Sequence, residues 1–509
     1  MHENISFENL EIWFVTGAQL LYGGETVKQV DAHSTAMVDG LNKGGKLPYK
    51  IVRKGTVNSA AEISDKFRAA NNDPKCVGIM TWMHTFSPAK MWIGGLKSSR
   101  KPILHLHTQF QREIPWSEID MDFMNLNQSA HGDREFGHVM SRMRKARKVV
   151  VGFWEDDDVQ NGIAVWMRVC AAWNDAGGMR ILRFGDNMNN VAVTDGDKVE
   201  AEMVFGYHVD YCPVGDLAAV VAKVAEADVD AMIAVYEKEY VFAPNAAKSG
   251  PDHRQVREAA RIEIALRQVL EAAGAKAFTT NFDALHGLDQ LPGLASQRLM
   301  ADGYGFGAEG DWKTAALLRT MKVMAHRLPG GTSFLEDYVY HFGKHRNGKD
   351  AVLQAHMLEI CPTIAAHQPR LEVHPLGIGG KAAPARLVFT AKPGHGVAAT
   401  VVDMGGRFRL IVNDVDCGAP EADLPKLPVA RAFWTPRPDL SVAAHAWILA
   451  GGTHHTSFSY DLTPEYFEDF AEIADIELST IDASTTIYSF KRDLKLNEIY
   501  YMFNRALAR

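Results

Sequence analysis

Short apolar runs alternate with longer amphipathic segments over roughly the first 180 residues. Runs of this kind, separated by helical patterns, are typical of βαβ units whose strands form a parallel sheet. Apolar residues then recur at helical spacing over 217–239 and 255–273, which predicts two long helices. The apolar runs themselves lie at 12–15, 51–52, 77–80, 103–106, 149–151 and 180–185.

The pattern changes after the Pro-Gly-Gly sequence at 329–331. Apolar and polar residues now alternate in short runs that are separated by glycine, proline and aspartate, as at 398–402 and 408–412. Such alternation predicts an antiparallel sandwich or barrel. We therefore predict three domains, two of α/β type and a C-terminal one of β type, at 1–177, 178–328 and 329–509.

Composition and charge exclude several classes of protein. The 509 residues carry 54 lysines and arginines against 62 acidic residues, a net charge of −8, and no long run of like charge, so a nucleic-acid partner is not expected. No apolar window approaches the ~18 residues of a membrane-spanning helix. The first residues lack the basic segment of a signal peptide, and the five cysteines form no C-x-x-C pair. We expect a cytoplasmic protein without a membrane partner.

Two glutamates are candidates for chemistry. Glu309 lies among three glycines just before an amphipathic helix, so it either approaches a ligand or begins that helix, with Asp311 as the cap. Glu336 lies in a predicted strand, where it shares one face with aromatic residues at 334, 338, 340 and 342. A lone buried carboxylate needs a cation, a metal or hydrogen-bond donors. The alternative is a strand at the barrel edge, with Glu336 in solvent and Asp337 on the opposite face in a structural role.

Histidines supply the other candidate ligands. His356 falls in a segment, 352–361, that we interpret as a strand, with Glu359 facing the other way as an outer partner at best. His454 and His455 follow a predicted apolar strand at 448–450 and a Gly-Gly turn, although a solvated loop fits equally well.

The histidines and glutamates together suggest a type of ion but not a known motif. Two carboxylates and two imidazoles without a thiolate suit Mn²⁺ before Zn²⁺ or Cu²⁺. Their long, irregular spacings match no short metal motif. A further pair, His105 and His107, shares a strand face and could also be ligands, but buried strand histidines are more often hydrogen-bonded core residues.

Several long motifs together resemble the bacterial L-arabinose isomerase family, over nearly the whole chain. So many motifs in one order make a chance match very improbable. The matching stretches are 13–23, HTFSPAKMW at 84–92, MDFMNLNQ at 121–128, RFGDNM at 183–188, EGDWK at 309–313, GGTSFLE at 330–336, HMLE at 356–359 and GGTHHT at 451–456.

The resemblance implies a fold, an activity and a set of site residues. It implies two α/β domains with parallel sheets of the Rossmann or flavodoxin-like type, followed by an antiparallel β-barrel domain, in a hexamer built as a dimer of trimers. The implied activity is an Mn²⁺-dependent interconversion of L-arabinose and L-ribulose, often also of D-galactose and D-tagatose. The implied metal ligands are Glu309, Glu336, His356 and His455, and both glutamates would be catalytic. The implied sugar contacts are Gln19, Leu21, Tyr22, Phe86, Gln128, His131, Met188, Phe282 and His454.

Two other classes of function stay open on the residues alone. A metal-dependent hydrolase could use the same donors to activate water, but it would need a nucleophile poised over a labile bond. A non-catalytic sugar-binding protein could use the α/β domains, but it would leave the glutamate on an aromatic strand and the paired histidines unexplained.

Overall fold

A computed structural model describes residues 4–344, 348–378 and 380–507. Residues 6–174 and 472–475 form one compact unit, and the rest of the described chain forms a second unit. Neither unit contains, among these residues, a helix that is both long and apolar enough to cross a membrane.

The first unit is built on a parallel five-stranded sheet with the strand order β2-β1-β3-β4-β5, which is the flavodoxin-like order. Adjacent residues of β1 point to opposite faces. Trp13 therefore packs in one apolar cluster and Phe14 in another, so the sheet has a core on each side. The strands are β1 Glu11–Gly17, β2 Lys50–Val57, β3 Cys76–Met83, β4 Ile103–His107 and β5 Lys148–Val151. The helices are α1 Gly24–Lys43, α2 Ala60–Asn72, α3 Ile93–Ser98, α4 Met121–Leu126, α5 Ser129–Arg142 and α6 Asp157–Ala176, the last of which ends in the second unit.

The second unit begins with a smaller parallel sheet of order β10-β9-β6-β7. Its strands, with the separate β8, are β6 Arg180–Phe184, β7 His208–Cys212, β8 Val241–Phe242, β9 Ala275–Thr280 and β10 Gly305–Ala308. Its helices are α7 Lys198–Phe205, α8 Val214–Val221, α9 Glu226–Glu239, α10 His253–Ala273, α11 Gly293–Ala301 and α12 Trp312–Met324.

The segment 217–239 is two helices, α8 and α9, so the prediction of one long helix there was wrong. The chain turns between them, where Val224 packs against two different apolar clusters of the unit. The prediction of a helix at 255–273 is confirmed by α10.

The remainder of the second unit contains a closed antiparallel barrel of six strands. The order β15-β18-β11-β12-β17-β16 closes because β15 also pairs with β16, and β19 adds to β16 in parallel. The prediction of parallel α/β regions followed by a barrel is thus confirmed. The strands of this region, including those outside the barrel, are β11 Thr332–His341, β12 Ala351–Ala355, β13 Arg370–Val373, β14 Ala385–Val388, β15 Gly394–Asp403, β16 Phe408–Cys417, β17 Arg431–Pro436, β18 His455–Ser459 and β19 Glu477–Ile481. The helices are α13 Leu440–Leu449, α14 Pro464–Ala474 and α15 Ile487–Leu507.

The apolar run at 448–450, which we predicted to be a strand, is the end of α13 and the residue that follows it. Asp439 begins this helix by accepting a hydrogen bond from the backbone N–H of Val442. Gly451, at φ +82°, then takes the left-handed conformation that commonly follows a helix. Because α13 contains few polar residues, its sequence does not show the apolar–polar spacing that indicates a helix.

Helix α12 is buried along its whole length because it lies between the parallel sheet and the barrel. Its Arg319 is only 2% exposed and pairs with Asp175, whose Oδ2 is 2.9 Å from Nε. Lys276 donates to the same carboxylate at 2.9 Å. Burial by itself raises the pKa of Asp175, but Arg319 and Lys276 outweigh it, so the pKa lies below its usual value.

We predict that Asp175→Asn lowers the free energy of unfolding by about 3–5 kcal/mol at pH 7, because it leaves a buried guanidinium without its counter-charge. The lowered pKa means that the carboxylate contributes stability above pH ~4 and loses it as the pH falls through the folded-state value. The difference between variant and wild type should therefore shrink in acid. Denaturant unfolding at several pH values measures it, with the exposed Asp39→Asn as the control. Equal unfolding midpoints for the two variants at pH 7 would contradict this role.

Candidate active site

Four side chains meet where the barrel faces the end of β10. Glu309 follows β10, Glu336 lies within β11, His356 follows β12 and His455 begins β18. The barrel register brings three of them together, because Glu336 pairs with His455 on one neighbouring strand and with Ala355 on the other. Glu336 Oε2 is 3.6 Å from His356 Nε2, and Glu309 Oε2 is 3.8 Å from His455 Nε2.

The backbone at Glu309 explains the glycines around it. Glu309 has φ +60°, in the left-handed region, and Gly310 has φ +87°. A Cβ at Gly310 would lie 2.5 Å from the Cα of Asn187, so only glycine fits there. Asp311 then caps α12 by accepting from the Thr314 N–H at 3.2 Å. The segment is therefore a helix start, and the same turn directs the Glu309 side chain to His455.

His455 is fully buried, and its two ring nitrogens have different surroundings. Nδ1 lies 3.0 Å from Oδ2 of Asp311. Burial by itself raises the pKa of Asp311, but Lys313 and the hydrogen bond from His455 outweigh it, so the pKa is low and the group is a carboxylate. Nδ1 therefore donates, which leaves Nε2 with a free lone pair. Within the described chain this buried Nε2 has no hydrogen-bond partner. A buried, unpartnered imidazole nitrogen beside a carboxylate is suited to bind a metal ion.

His356 is held in a similar way. Its Nδ1 lies 2.6 Å from Oε2 of Glu359, and its Nε2 faces Glu336. Burial by itself lowers the pKa of His356, but Glu359 and Glu336 outweigh it, so the pKa lies above its usual value. The strand predicted at 352–361 ends at Ala355, and His356 therefore lies in the following turn rather than on a strand face. This turn is what lets Glu359 reach back to the imidazole.

An aromatic side chain separates the two imidazoles. The Phe334 ring makes edge contacts with His356 and His455, at centroid distances of 5.1 and 5.3 Å. Burial raises the pKa of Glu336, and His356 and His455 oppose this only in part. The expected face of aromatic residues around Glu336 is not maintained along β11, because the pairing with β12 slips between Asp337 and Val339. The tyrosines beyond the slip are exposed.

Asp337 has a structural contact, with its Oδ1 accepting a hydrogen bond from Gln354 of the neighbouring strand. Burial raises the pKa of Asp337 to about 6.

His454 packs edge-on against His455 and also lies at the site. The two rings are inclined by 69°, and His454 Nε2 is 3.9 Å from Oε1 of Glu336. Burial, and then the neighbouring His455, lowers the pKa of His454 to about 4. One donor atom from each of Glu309, His454 and His455 lies within 4.8 Å of the others, so His454 is also placed as a possible ligand.

Besides His454, two of the expected sugar contacts belong to this unit. The Met188 backbone N–H donates to the carbonyl of Glu309 at 2.9 Å, which places Met188 beside the site. Phe282 is half-buried and packs against the apolar cluster beside the four-stranded parallel sheet of this unit.

The remaining expected sugar contacts lie in the first unit, in loops and at the start of helix α5, near the carboxyl ends of its strands. Ligands of open α/β sheets bind at this edge. Tyr22, Gln128 and His131 line one cavity of about 500 Å³, and the Phe86 ring packs on His131 at 4.9 Å between centroids. Gln19 precedes the short turn of Leu21 and Tyr22, and Leu21 is 79% exposed.

Sequence reasoning missed the second role of Asp311. It appears in the chain as a helix cap, and nothing near it predicts a contact with a histidine 144 positions later. The one available signal was its place two residues after Glu309, at the start of a helix.

Two carboxylates and two imidazoles, each imidazole oriented by a further carboxylate, form a group of the kind found in enzyme active sites. Models of the N-terminal, central and C-terminal domains of L-arabinose isomerase match residues 6–178, 180–327 and 331–477. The chain belongs to the L-arabinose isomerase family, as the resemblance implied, and is an enzyme of the aldose–ketose isomerase class.

Relatives named L-arabinose isomerase match almost end to end. The protein of Bacteroides thetaiotaomicron is 63% identical over 99% of this chain and 100% of its own length. That of Herpetosiphon aurantiacus is 56% identical over 99% and 100%, and that of Geobacillus stearothermophilus is 55% identical over 98% and 99%. The hydrolase and the non-catalytic sugar-binding protein are therefore disfavoured.

Proposed function

We propose that the protein interconverts L-arabinose and L-ribulose through a cis-enediol, and also converts D-galactose to D-tagatose. The observation that carries the proposal is the convergence of Glu309 and Glu336 beside the unpartnered Nε2 of buried His455. The names of the full-length relatives support the substrate.

The donor set fits a divalent metal ion. Glu309, Glu336, His356 and His455 would hold it, and two oxygens with two nitrogens and no thiolate suit Mn²⁺, one per subunit. When bound, such an ion polarises the sugar carbonyl and stabilises negative charge on the sugar oxygens. Asp311 and Glu359 keep the two imidazoles oriented for the ion. Each accepts a hydrogen bond from the imidazole Nδ1, which faces away from Glu309 and Glu336.

The two glutamates perform the proton transfers. The carbonyl moves from C1 to C2 when a proton leaves C2 and one is delivered to C1. One glutamate carries this proton, and the other moves a proton between the oxygens on C1 and C2. The neutral His454 binds a sugar hydroxyl, together with Met188 and Phe282 from this unit. Gln19, Leu21, Tyr22, Phe86, Gln128 and His131 complete the sugar pocket.

The site is shared between subunits of a cytoplasmic hexamer, a dimer of trimers. The metal ligands belong to one compact unit of the chain, and Gln128 and His131, at the start of helix α5, belong to the other. The family resemblance favours a site at a subunit boundary. His131 of one subunit therefore reaches the metal ligands of its neighbour.

We predict that removal of metal abolishes the conversion of L-arabinose to ketose and that Mn²⁺ restores it. A chelator-treated sample is assayed for ketose before and after Mn²⁺ is added, and its metal content is measured. Untreated protein carried through the same dialysis is the control. Full turnover in excess chelator, with no metal detectable, would exclude the proposed role of the ion.

We predict that Glu309→Gln and Glu336→Gln each lose about 10²–10⁴-fold in kcat while staying folded, because each removes a proton-transfer group. The control is Glu237→Gln, at an exposed position on α9. Isomerisation by the wild type in deuterated water should place deuterium at C1 of the ketose. If either site variant turns over as fast as the control, that glutamate has no part in the mechanism.

We predict that His131→Ala and Glu336→Gln, each inactive alone, complement each other after mixing and reassembly. Some sites would then combine an intact loop from one subunit with intact ligands from another. Random mixing should restore roughly a quarter of the wild-type activity if sites act independently. Each variant unfolded and reassembled by itself is the control. No recovery, with mixed oligomers confirmed by mass, would mean that each site is formed within one chain.

A further inference from the structure

A second group of metal-ligating side chains lies in the first unit, at the carboxyl end of β4. His105 and His107 are two residues apart on β4, so their side chains project to the same face of the sheet. Asp133, from the neighbouring helix α5, meets both: Oδ1 is 2.9 Å from His105 Nε2, and Oδ2 is 2.8 Å from His107 Nδ1. One donor atom from each of the three residues lies within 4.8 Å of the others.

Asp133 is unusual because it is a deeply buried acidic residue with no lysine or arginine paired to it in the described chain. The residue is 1% exposed, and within the described residues no lysine or arginine pairs with it. In the described part of the chain its one other donor is the backbone N–H of Met83, 3.3 Å from Oδ1. Buried carboxylates are stabilised by a counter-charge, by hydrogen bonds or by a metal ion. Among the side chains that the structure describes, two imidazoles are its only partners, and an imidazole can either donate a proton or bind a metal.

We propose that His105, His107 and Asp133 form a second metal site, for a borderline divalent transition ion such as Zn²⁺, separate from the site at Glu309 and Glu336. Two imidazole nitrogens and one carboxylate without a thiolate favour such an ion over Ca²⁺ or Mg²⁺, which prefer oxygen ligands. Three protein ligands leave a position for water or an exogenous ligand.

The distances allow this ion with small movements. Bonds of about 2.0–2.2 Å to a tetrahedral Zn²⁺ place neighbouring ligand atoms about 3.3–3.5 Å apart. Each imidazole nitrogen lies 2.8–2.9 Å from its own carboxylate oxygen, so each pair needs to separate by about 0.5 Å, and the three donor atoms lie within 4.8 Å of one another. The His107 side chain is 26% exposed, while that of His105 is 5% exposed, so an ion would enter at His107.

The ion would join three elements of the first unit. Asp133 is held by the last residue of β3, the two histidines belong to β4, and Asp133 itself lies on α5. Helix α5 also carries His131, and Gln128 precedes it. Bound Zn²⁺ would therefore stabilise the helix on which part of the cavity of this unit is built. The inference goes beyond the proposed activity and does not depend on it.

The test measures Zn²⁺ binding to the full-length, metal-stripped protein by calorimetry, in a Glu309→Gln/Glu336→Gln background that weakens the first site. We expect His107→Gln to lower the affinity for about one Zn²⁺ per chain by at least ~100-fold. Removal of a residue that only hydrogen-bonds to a metal ligand already costs up to about 100-fold, and His107 would be a ligand itself. The new side chain can still donate to Asp133, so the hydrogen bond that supports the fold is kept. Co²⁺ in place of Zn²⁺ should show a visible absorption band that the same substitution removes.

The matched control is His138→Gln, at an exposed position of the same helix, which should bind Zn²⁺ as the background does. Asp133→Asn should also lose the ion, and circular dichroism checks that each variant is folded. If folded His107→Gln binds Zn²⁺ as tightly as the His138→Gln control, the three residues are only a hydrogen-bonded group and the proposal is wrong. Because binding is measured without a sugar, this result is independent of whether the protein isomerises L-arabinose.

Discussion

The buried carboxylate of Asp311 joins the parallel α/β region to the barrel. It accepts from the backbone and hydroxyl of Thr314 at the start of α12, at 3.2 and 2.7 Å, and it pairs with Lys313 at 3.2 Å. Its remaining contact is with His455 at the first residue of β18. A carboxylate can accept several hydrogen bonds at once, and each makes its burial less costly. The same group therefore begins a helix, attaches it to a barrel strand and sets which nitrogen of His455 faces the glutamates.

Helix α12 shows why this attachment can lie so deep. A helix that is covered on every side is expected to be apolar all round, and α12 contacts both sheet and barrel. Its charged side chains are tolerated because each has partners. Lys313 donates to two backbone carbonyls, Lys322 to the carbonyl of Thr332, and Arg319 to Asp175. The first turn of this helix lies against the site, because Asp311, which caps it, contacts His455.

The sequence was informative where a local pattern decides the structure. Apolar runs predicted the parallel strands, and alternation after residue 331 predicted the antiparallel barrel. It failed where the residues that begin or end an element outweigh an apolar run. The run at 448–450 is apolar enough for a strand, but Asp439 starts a helix upstream, and a turn after Ala355 releases His356 from its strand.

The candidate site shows the same division. Residue types and neighbouring glycines were enough to single out Glu309, Glu336 and the histidines as possible donors. Their convergence depends on the pairing of β11 with β12 and with β18, and the second of these pairings joins positions more than a hundred residues apart. No local period encodes that register. The partners Asp311 and Glu359 are equally hidden, because a helix cap and a turn residue look the same in sequence whether or not an imidazole lies beside them.

The burial of α12 between sheet and barrel also limits how the gene for this enzyme can be recombined with those of its relatives. The loop after residue 328 looks like a natural crossover point, since the fold type changes there. A chimera joined at that loop would take α12 from one parent and all the barrel strands that cover it from the other. Lys322 and Thr332, Asp311 and His455, and the apolar contacts between them would each be inherited from different parents. A crossover before Asp175 would keep α12 with its barrel and also keep Arg319 with the carboxylate that pairs with it.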